Sequence, residues 1–238
     1  AGNYHTVALK SDGTLWAWGR NNHGQIAAGT AIVKVIPTQV GGGSNWDVVA
    51  VGGNHTVALK STGSLWAWGY NGYHQLGDGS AVSKDTPTRI GSDTNWSTVA
   101  AGENHTVGLQ STGKKWTDTL WVWGRNESGQ LGDGTNSDRL FPTMVGNPSM
   151  YSDTRWSVID AGGNHTVALK SDDTLWAWGR NSKGQLGDGT TKDKNTPTPV
   201  AGLTGAIAAV AGRYHSCALK SDGTVVCWGD NGKGQLGT

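Results

Sequence analysis

The sequence carries almost no net charge and contains no long hydrophobic run. Its 19 Lys and Arg residues nearly balance 18 Asp and Glu residues, so the formal net charge is +1. This balance provides no field that would attract nucleic acid or an anionic membrane surface. No apolar stretch approaches the roughly 18 residues of a membrane-spanning helix. We therefore expect neither a nucleic-acid partner nor membrane insertion. No signal peptide is recognisable, and because the first residue is Ala1 we expect a processed or excised chain.

Patterns typical of catalysts are also missing. There is no phosphate-binding loop of the form GxxxxGK[ST]. The serines at 11, 61, 111, 171 and 221 lie in repeated turns, where serine is common, and none is paired with an evident base. The 18 carboxylates are scattered and single out no acid pair for glycoside hydrolysis. We predict that the chain is not an enzyme and binds no cofactor.

The dominant pattern is a hairpin, HTVALKSDGTLWAWG at residues 5–19, which recurs along the chain. Its copies begin at His5, His55, His105, His165 and His215. The alternation in TVALK and LWAWG has the period of a β-strand, and the residues between them form a turn. Repeats of this length cannot bury a core alone and must pack on one another. The 38 glycines and 13 tryptophans also suit a turn-rich all-β fold.

Each repeat is predicted to contain four strands, A to D. In the second repeat, A runs from Trp46 to Gly53, B is HTVALK and C is LWAWG, while a D strand runs from Pro37 to Val40. Proline cannot donate to a sheet, which places D at an outer edge, and the small residues that end A suit an inner edge near an axis. The hairpin should present large residues on one face and smaller ones on the other. The two predicted sets are Trp66 and Trp68, and Val57, Leu59, Leu65 and Ala67.

Each hairpin is followed by a GQLGDGT-type loop, a PTxV segment and a WxxVxAG segment. This order resembles the regulator of chromosome condensation repeat family, whose domains are β-propellers. The resemblance covers essentially the whole chain and implies a propeller of four-stranded blades. It says little about function, because members range from nuclear exchange factors to secreted inhibitors. We interpret residues 1–238 as one propeller domain, with repeats at approximately 1–50, 51–100, 101–160, 161–210 and an incomplete 211–238.

The number of strands predicts an incomplete ring. Five B–C hairpins are accompanied by only four D strands and four A strands. Since closure is how a propeller avoids exposed sheet edges, we expect the chain to belong to a larger ring. Family resemblance implies seven blades. A five-repeat arc capped by a partner is the alternative.

The two cysteines, Cys217 and Cys227, lie in the fifth hairpin. A three-residue loop at 221–223 would place them directly opposite each other, whereas a two-residue loop would put them on opposite faces. Opposed residues in a non-hydrogen-bonded pair have a separation that a disulfide tolerates. We predict a bridge, with two buried thiols as the alternative. A bridge would indicate an oxidising compartment, and hence a secreted or surface-exposed protein.

Two recurring residue types could suggest a metal site. The five histidines that begin strand B could surround an axis, but no second ligand recurs at metal spacing. We expect each to bond within its own blade. Asp78, Asp133 and Asp188 lie in LGDG loops, yet one carboxylate per loop is poor for calcium, and Asp is a common turn residue. We predict no metal.

The third repeat departs from the pattern in two places. Its hairpin tip is longer at 114–118, and its D–A connection is longer at 147–152. Both should emerge at the same end of the propeller, and insertions in repeat proteins are often located on the binding face. The predicted partner-binding residues are Lys114, Lys115, Trp116, Met150, Tyr151 and Arg155. Ordinary loop variation, with Trp116 folded onto the core, is the alternative.

Two functions of different class remain. The first is a secreted or cell-surface interaction module that binds a protein partner or self-assembles. The second is a carbohydrate-binding propeller, in which Trp116 or Tyr73 stacks on sugar rings. A sugar-binding propeller should repeat its site in every blade. The residues after each WG differ, however, being Arg20, Tyr70, Arg125, Arg180 and Asp230. This variation favours the protein-interaction module.

Overall fold

The strands follow from the period-2 alternation of the hairpins and from the turns that separate them. The computed structural model describes residues 1–113, 118–146 and 156–237, which form eighteen strands in five antiparallel sheets. The first sheet contains β1 (His5–Leu9), β2 (Leu15–Gly19) and β3 (Lys34–Gln39). The second contains β4 (Trp46–Val51), β5 (His55–Lys60), β6 (Leu65–Gly69) and β7 (Lys84–Arg89).

The remaining sheets repeat this arrangement. The third contains β8 (Trp96–Ala101), β9 (His105–Gln110), β10 (Thr119–Gly124) and β11 (Arg139–Met144). The fourth contains β12 (Trp156–Ala161), β13 (His165–Lys170), β14 (Leu175–Gly179) and β15 (Lys194–Pro199). The fifth contains β16 (Ala206–Ala211), β17 (His215–Lys220) and β18 (Val225–Gly229). Neighbouring strands in each sheet are consecutive in the chain.

Strand A is the inner strand and strand D the outer one, as predicted. The last residues of the A strands β4, β8, β12 and β16 line a central pocket of about 200 Å³. Its wall includes Gly52, Gly102, Gly162 and Gly212, the residues that follow these strands. Strands β7, β11 and β15 are at the opposite edge of their sheets. The sheets are therefore propeller blades arranged around an axis.

Two predicted strand limits need correction. In the second blade, strand A ends at Val51 rather than Gly53, because Gly52 turns to donate its N–H to the carbonyl of His55. Strand D of the first blade begins at Lys34 rather than Pro37. Its register shifts between the pairs Gly19–Lys34 and Ala17–Thr38. Pro37 therefore lies at an irregularity, where the missing N–H is not needed.

The two faces of each hairpin match the prediction. Cross-strand pairs place Val57 opposite Ala67, and Ala58 opposite Trp66. Val57 and Ala67 pack against the next blade, in a cluster that contains Trp96 and Trp123. Large residues of one blade thus meet smaller residues of its neighbour. Trp68, Trp123 and Trp178 are completely buried in this way, which is consistent with a core role for most of the tryptophans.

The blades present two ends to solvent. The loop end contains the A–B turns and the C–D loops, including residues 52–54 and 70–83; the N–H of Tyr70 donates to the carbonyl of Asn54 at 2.9 Å. The tip end contains the B–C turns and the D–A connections, including residues 61–64 and 40–45. There the N–H of Ser61 donates to the carbonyl of Asn45 at 2.9 Å. The turn connectivity therefore places B–C tips and D–A connections together, as predicted.

Candidate functional site

The recurring histidines bind the neighbouring blade, not their own. His55 Nε2 lies 3.1 Å from Thr106 Oγ1, and Thr106 Oγ1 donates to the carbonyl of Gln75 at 2.7 Å. His55 and Gln75 belong to the second blade and Thr106 to the third. Equivalent chains join His5 to Thr56, His105 to Thr166, and His165 to Ser216. We call each chain of histidine, hydroxyl and glutamine carbonyl a seam. The prediction that each histidine bonds its own blade was wrong.

The direction of the seam fixes the histidine tautomer. Because the threonine hydroxyl gives its proton to the glutamine carbonyl, it must accept from the histidine, and Nε2 therefore carries the hydrogen. Nδ1 of His5, His55, His105 and His165 is buried without a hydrogen-bond partner in the structure. A Cβ on Gly52 would lie 2.5 Å from His55 Nδ1, so only glycine fits beside the imidazole. The imidazole therefore has one hydrogen-bonded nitrogen, Nε2, and one buried nitrogen without a partner, Nδ1.

These seam histidines are neutral at physiological pH. Burial, followed by the charge of neighbouring histidines, lowers the pKa of both His55 and His105 to about 3. Burial is also the main reason why the pKa of His5 and of His165 is lowered to about 4. A neutral imidazole with a free Nδ1 could in principle bind a metal. Across the part of the chain that the structure describes, however, no group of three or more His, Cys, Asp or Glu residues is placed to hold one.

The LGDG aspartates close their own loops. Asp78 accepts hydrogen bonds from the backbone and hydroxyl of Ser80 and from the side chain of Asn71, and it pairs with Lys84 at 3.2 Å. Burial raises the pKa of Asp78, but these bonds outweigh burial and hold it below its usual value. Asp133 pairs in the same way with Arg139, and Asp188 with Lys194. The carboxylates already have donors on both oxygens, which favours a structural role over cation binding.

Asp160 is a partly buried carboxylate on the inner strand β12. Its Oδ2 accepts from the N–H of Ala211 in the fifth blade at 2.8 Å, and its Oδ1 accepts from the N–H of Ala161 at 2.9 Å. Burial raises its pKa against the effect of these two bonds. Ala50 and Ala100 occupy the equivalent position in β4 and β8. Asp160 thus links two inner strands.

The predicted disulfide is present. Cys217 and Cys227 are directly opposed in the register of β17 and β18, with their Cα atoms 4.1 Å apart, and they form a bridge. The hairpin loop contains three residues, 221–223, and Gly223 has a φ of 83°. This geometry is the one that the pairing required.

The predicted partner-binding residues lie outside the described residues. They are Lys114, Lys115, Trp116, Met150, Tyr151 and Arg155. The regular repeats show how a described tip and D–A connection are arranged. The N–H of Trp46, after a D–A connection, donates to the carbonyl of Gly13 in the preceding tip at 3.1 Å. Trp96 and Gly63 make the same bond at 3.2 Å. In these repeats a tip and the following D–A connection are in contact.

Sequence reasoning missed a set of contacts between adjacent C–D loops. The fourth residue of one loop meets the first residue of the next. His23 lies 4.8 Å from Tyr70, Arg125 is 4.4 Å above the ring of Tyr73, and Lys183 pairs with Asp230 at 3.6 Å. The sequence signal is that residues about 47 positions apart in regular repeats form suitable pairs, such as Lys183 with Asp230. It could be recognised only once neighbouring blades were known to bring these positions together.

No helix that could cross a membrane occurs in residues 1–113, 118–146 and 156–237.

Known proteins share both the repeat pattern and the fold. The Ultraviolet-B receptor UVR8 of Arabidopsis thaliana is 32% identical over 205 residues, which cover 86% of this chain and 46% of the receptor. The crystal structure of human WBSCR16 is similar with a TM-score of 0.80 and 25% identity, over 92% of this chain and 56% of that one. Yeast RCC1 (Prp20), solved bound to Kap60, gives a TM-score of 0.82 and 23% identity, over 96% and 55%.

The chain spans about half the length of these three proteins. The family model of the RCC1-like domain matches residues 1–238, the whole of the sequence. Five antiparallel sheets around an axis agree with that match. The chain therefore belongs to the RCC1-like domain family and is a β-propeller of that type.

Proposed function

We propose that this chain is a secreted or cell-surface protein-interaction module that performs no catalysis. Relatives of the RCC1-like type act mostly as binding, exchange-factor or regulatory modules, and yeast RCC1 has been solved bound to Kap60. The observation that carries the proposal is the use of the polar groups that recur from repeat to repeat. The histidines bind between blades and the LGDG aspartates close loops, so the recurrent groups serve the scaffold. Recognition is left to the loops that differ between repeats.

The tip end of the third repeat is the proposed binding surface. Its two insertions, at 114–118 and 147–155, belong to the B–C tip and to the D–A connection. The tip and the D–A connection that follows it are in contact in the first two repeats. The insertions supply Trp116, Tyr151 and Arg155, residue types that anchor protein interfaces. Asp118, at the end of the first insertion, accepts from the hydroxyl of Ser97 at 2.7 Å. This contact joins the end of the insertion to the first residues of β8, which is strand A of the third blade.

The disulfide supports the proposed location. A Cys217–Cys227 bridge persists in an oxidising compartment and is rare in a reducing cytosol. Expression with an export signal should therefore give a fully bridged protein. Partners should be sought among secreted and cell-surface proteins. Carbohydrate binding is the outcome that the test below must separate from protein binding.

Trp116→Ala and Tyr151→Ala test the surface. Truncating a central interface anchor typically costs about 2 kcal/mol, or roughly a thirtyfold loss of affinity. We expect both variants to lose capture of a protein from native culture supernatant while keeping the thermal stability of the wild type. Thr62→Ala, at the regular tip of the second repeat, is the matched control and should retain capture. Full capture by both variants, unfolding of Trp116→Ala, or specific binding of wild type to a glycan array would contradict the proposal.

A further inference from the structure

A second surface, at the loop end, combines aromatic rings with arginines. It contains Tyr4, Arg20, His23, Tyr70, Tyr73 and Arg125, which we call the loop row. These residues come from three consecutive blades, at the end of the propeller opposite the described B–C tips and D–A connections. The row is therefore independent of the surface proposed above.

Contacts join the residues of the loop row in two groups, one formed by Tyr4 and Arg20 and one formed by the other four residues. The guanidinium of Arg20 lies 5.4 Å from the ring centre of Tyr4. The ring of His23 lies 4.8 Å from that of Tyr70, which lies 6.1 Å from that of Tyr73. Arg125 completes the row at 4.4 Å above Tyr73. Arg20 also contributes, after burial, to the lowered pKa of His23.

The scaffold holds the row in place. The N–H groups of Arg20 and Tyr70 donate to the carbonyls that precede strand B of their blades, at 2.8 and 2.9 Å. The N–H of His23 and of Tyr73 each donate, at 2.9 Å, to the side chain of the buried glutamine two residues later. A Cβ on Gly72 would lie 2.3 Å from the hydroxyl oxygen of Tyr70. The tyrosine ring therefore packs directly against the backbone of Gly72, where a side chain would clash with it. A rigid surface loses little entropy when it binds.

The charges of the row favour an acidic ligand. Arg20 is exposed, and among the described residues it makes no ion pair. Arg125 pairs at 2.6 Å with Glu127, a side chain that is 57% exposed and can be displaced. Tyrosine and arginine are also the residues that most often anchor protein interfaces. Only two arginines serve the row and the chain carries a net charge of +1, which is a weak basis for binding a phosphate backbone.

We propose that the loop row binds an acidic segment of a partner protein, with carboxylates at Arg20 and Arg125 and an aromatic or other apolar side chain against Tyr70 and Tyr73. Binding would replace the exposed Glu127 carboxylate at Arg125 with one from the partner. The aromatic pair would provide contact area at low entropic cost, and the two arginines would set the orientation.

The experiment measures the binding of labelled short peptides that alternate glutamate with tryptophan. The same peptides with lysine for glutamate, and single-stranded oligothymidylate, are compared by fluorescence anisotropy. The acidic peptides should bind more tightly than the lysine peptides, and less tightly as salt rises. Arg20→Gln and Tyr73→Ala should each weaken this binding about tenfold or more. Arg180→Gln is the matched control, because Arg180 occupies the equivalent loop position in the fourth repeat but contacts Ser182 instead of the row.

Three results would overturn the proposal. They are equal binding of acidic and basic peptides, equal effects of Arg180→Gln and Arg20→Gln, and tighter binding of oligothymidylate than of any acidic peptide. Trp116→Ala should leave peptide binding unchanged. Failure of the tip-end proposal can therefore be told apart from failure of the loop-row proposal.

Discussion

At the scale of single residues, the seam hydroxyl is the group on which two neighbours depend. Thr106 is fully buried, accepts from His55 and donates to the carbonyl of Gln75. Removing this one hydroxyl leaves a donor and an acceptor buried without partners. Such unsatisfied groups cost more than the net value of the bonds themselves. The fifth repeat has Ser216 at the equivalent position and retains both bonds, which shows that the hydroxyl is the required feature.

Thr106→Val should therefore destabilise the protein by about 2–3 kcal/mol, although the side chain keeps nearly the same shape. Thr106→Ser should cost about 1 kcal/mol, since only a methyl group is lost. Urea unfolding of the two variants measures the difference. Equal losses for Val and Ser would mean that the two seam hydrogen bonds add no more stability than the methyl group does.

The sequence could predict where the histidines are but not what they bind. His55 recurs at the start of strand B, where the structure shows it to be fully buried. Its partner Thr106 is 51 residues away and belongs to the next blade. A sequence period reveals that blades are equivalent, but it does not give the rotation that brings one blade against the next. The loop row was missed for the same reason, because the contact of His23 with Tyr70 also crosses a blade boundary.

At the scale of elements, the hairpin was the most predictable unit. The alternation of residues predicted the two strands but left the loop open between two and three residues. The structure has a three-residue loop, with Gly223 at a φ of 83°, and this loop places Cys217 opposite Cys227. Strand limits were less predictable, because the D strand extends through an irregularity to include Lys34 before Pro37. The candidate tip-end site could be proposed only from broken symmetry, since inserted residues have no equivalent in the other repeats.

The fifth hairpin gives a direct test at this scale. Without reductant, Cys217 and Cys227 should resist alkylation, and the intact mass should be lower by two hydrogens than that of the reduced chain. Replacing the pair with valine and alanine, the residues of the second and fourth repeats, should cost up to about 3 kcal/mol, because the closed loop is short. Thermal unfolding with and without reductant measures this value. Two alkylatable thiols in the unreduced protein would exclude the bridge.

At the scale of the whole molecule, stability is distributed over the contacts between blades. Each interface pairs a tryptophan-rich face with a face of smaller residues, as in the cluster of Val57, Ala67 and Trp123. Each interface also contains one seam. Since repeat proteins are stabilised by such nearest-neighbour interfaces, a condition that weakens every seam at once should act on the entire fold.

Acidification is such a condition. His5, His55, His105 and His165 have folded pKa values of about 4, 3, 3 and 4, against an ordinary value of 6.5. A proton added at Nδ1 would be a buried donor without a partner, near other histidines that are also gaining charge. The unfolded chain therefore binds these protons first. The stability is fully present above about pH 6.5 and is lost as pH falls toward the folded values.

Between about pH 6 and about pH 4, each seam histidine should lower the free energy of unfolding by up to about 1.4 kcal/mol per pH unit. Asp160, whose pKa is raised, acts in the opposite direction and offsets part of this slope. The lowered pKa values of Asp78 and Asp133 affect stability only below about pH 4, because an ordinary carboxylate titrates near that pH. Urea unfolding across this range measures the slope.

The control variant is His105→Gln, which keeps an N–H donor for Thr166 but cannot gain a charge. The number of protons that this variant takes up on unfolding should therefore be lower by about one than that of the wild type. If wild-type stability were constant from about pH 7 to about pH 5, the seams would not hold neutral histidines, because four buried imidazoles with lowered pKa values require proton uptake on unfolding.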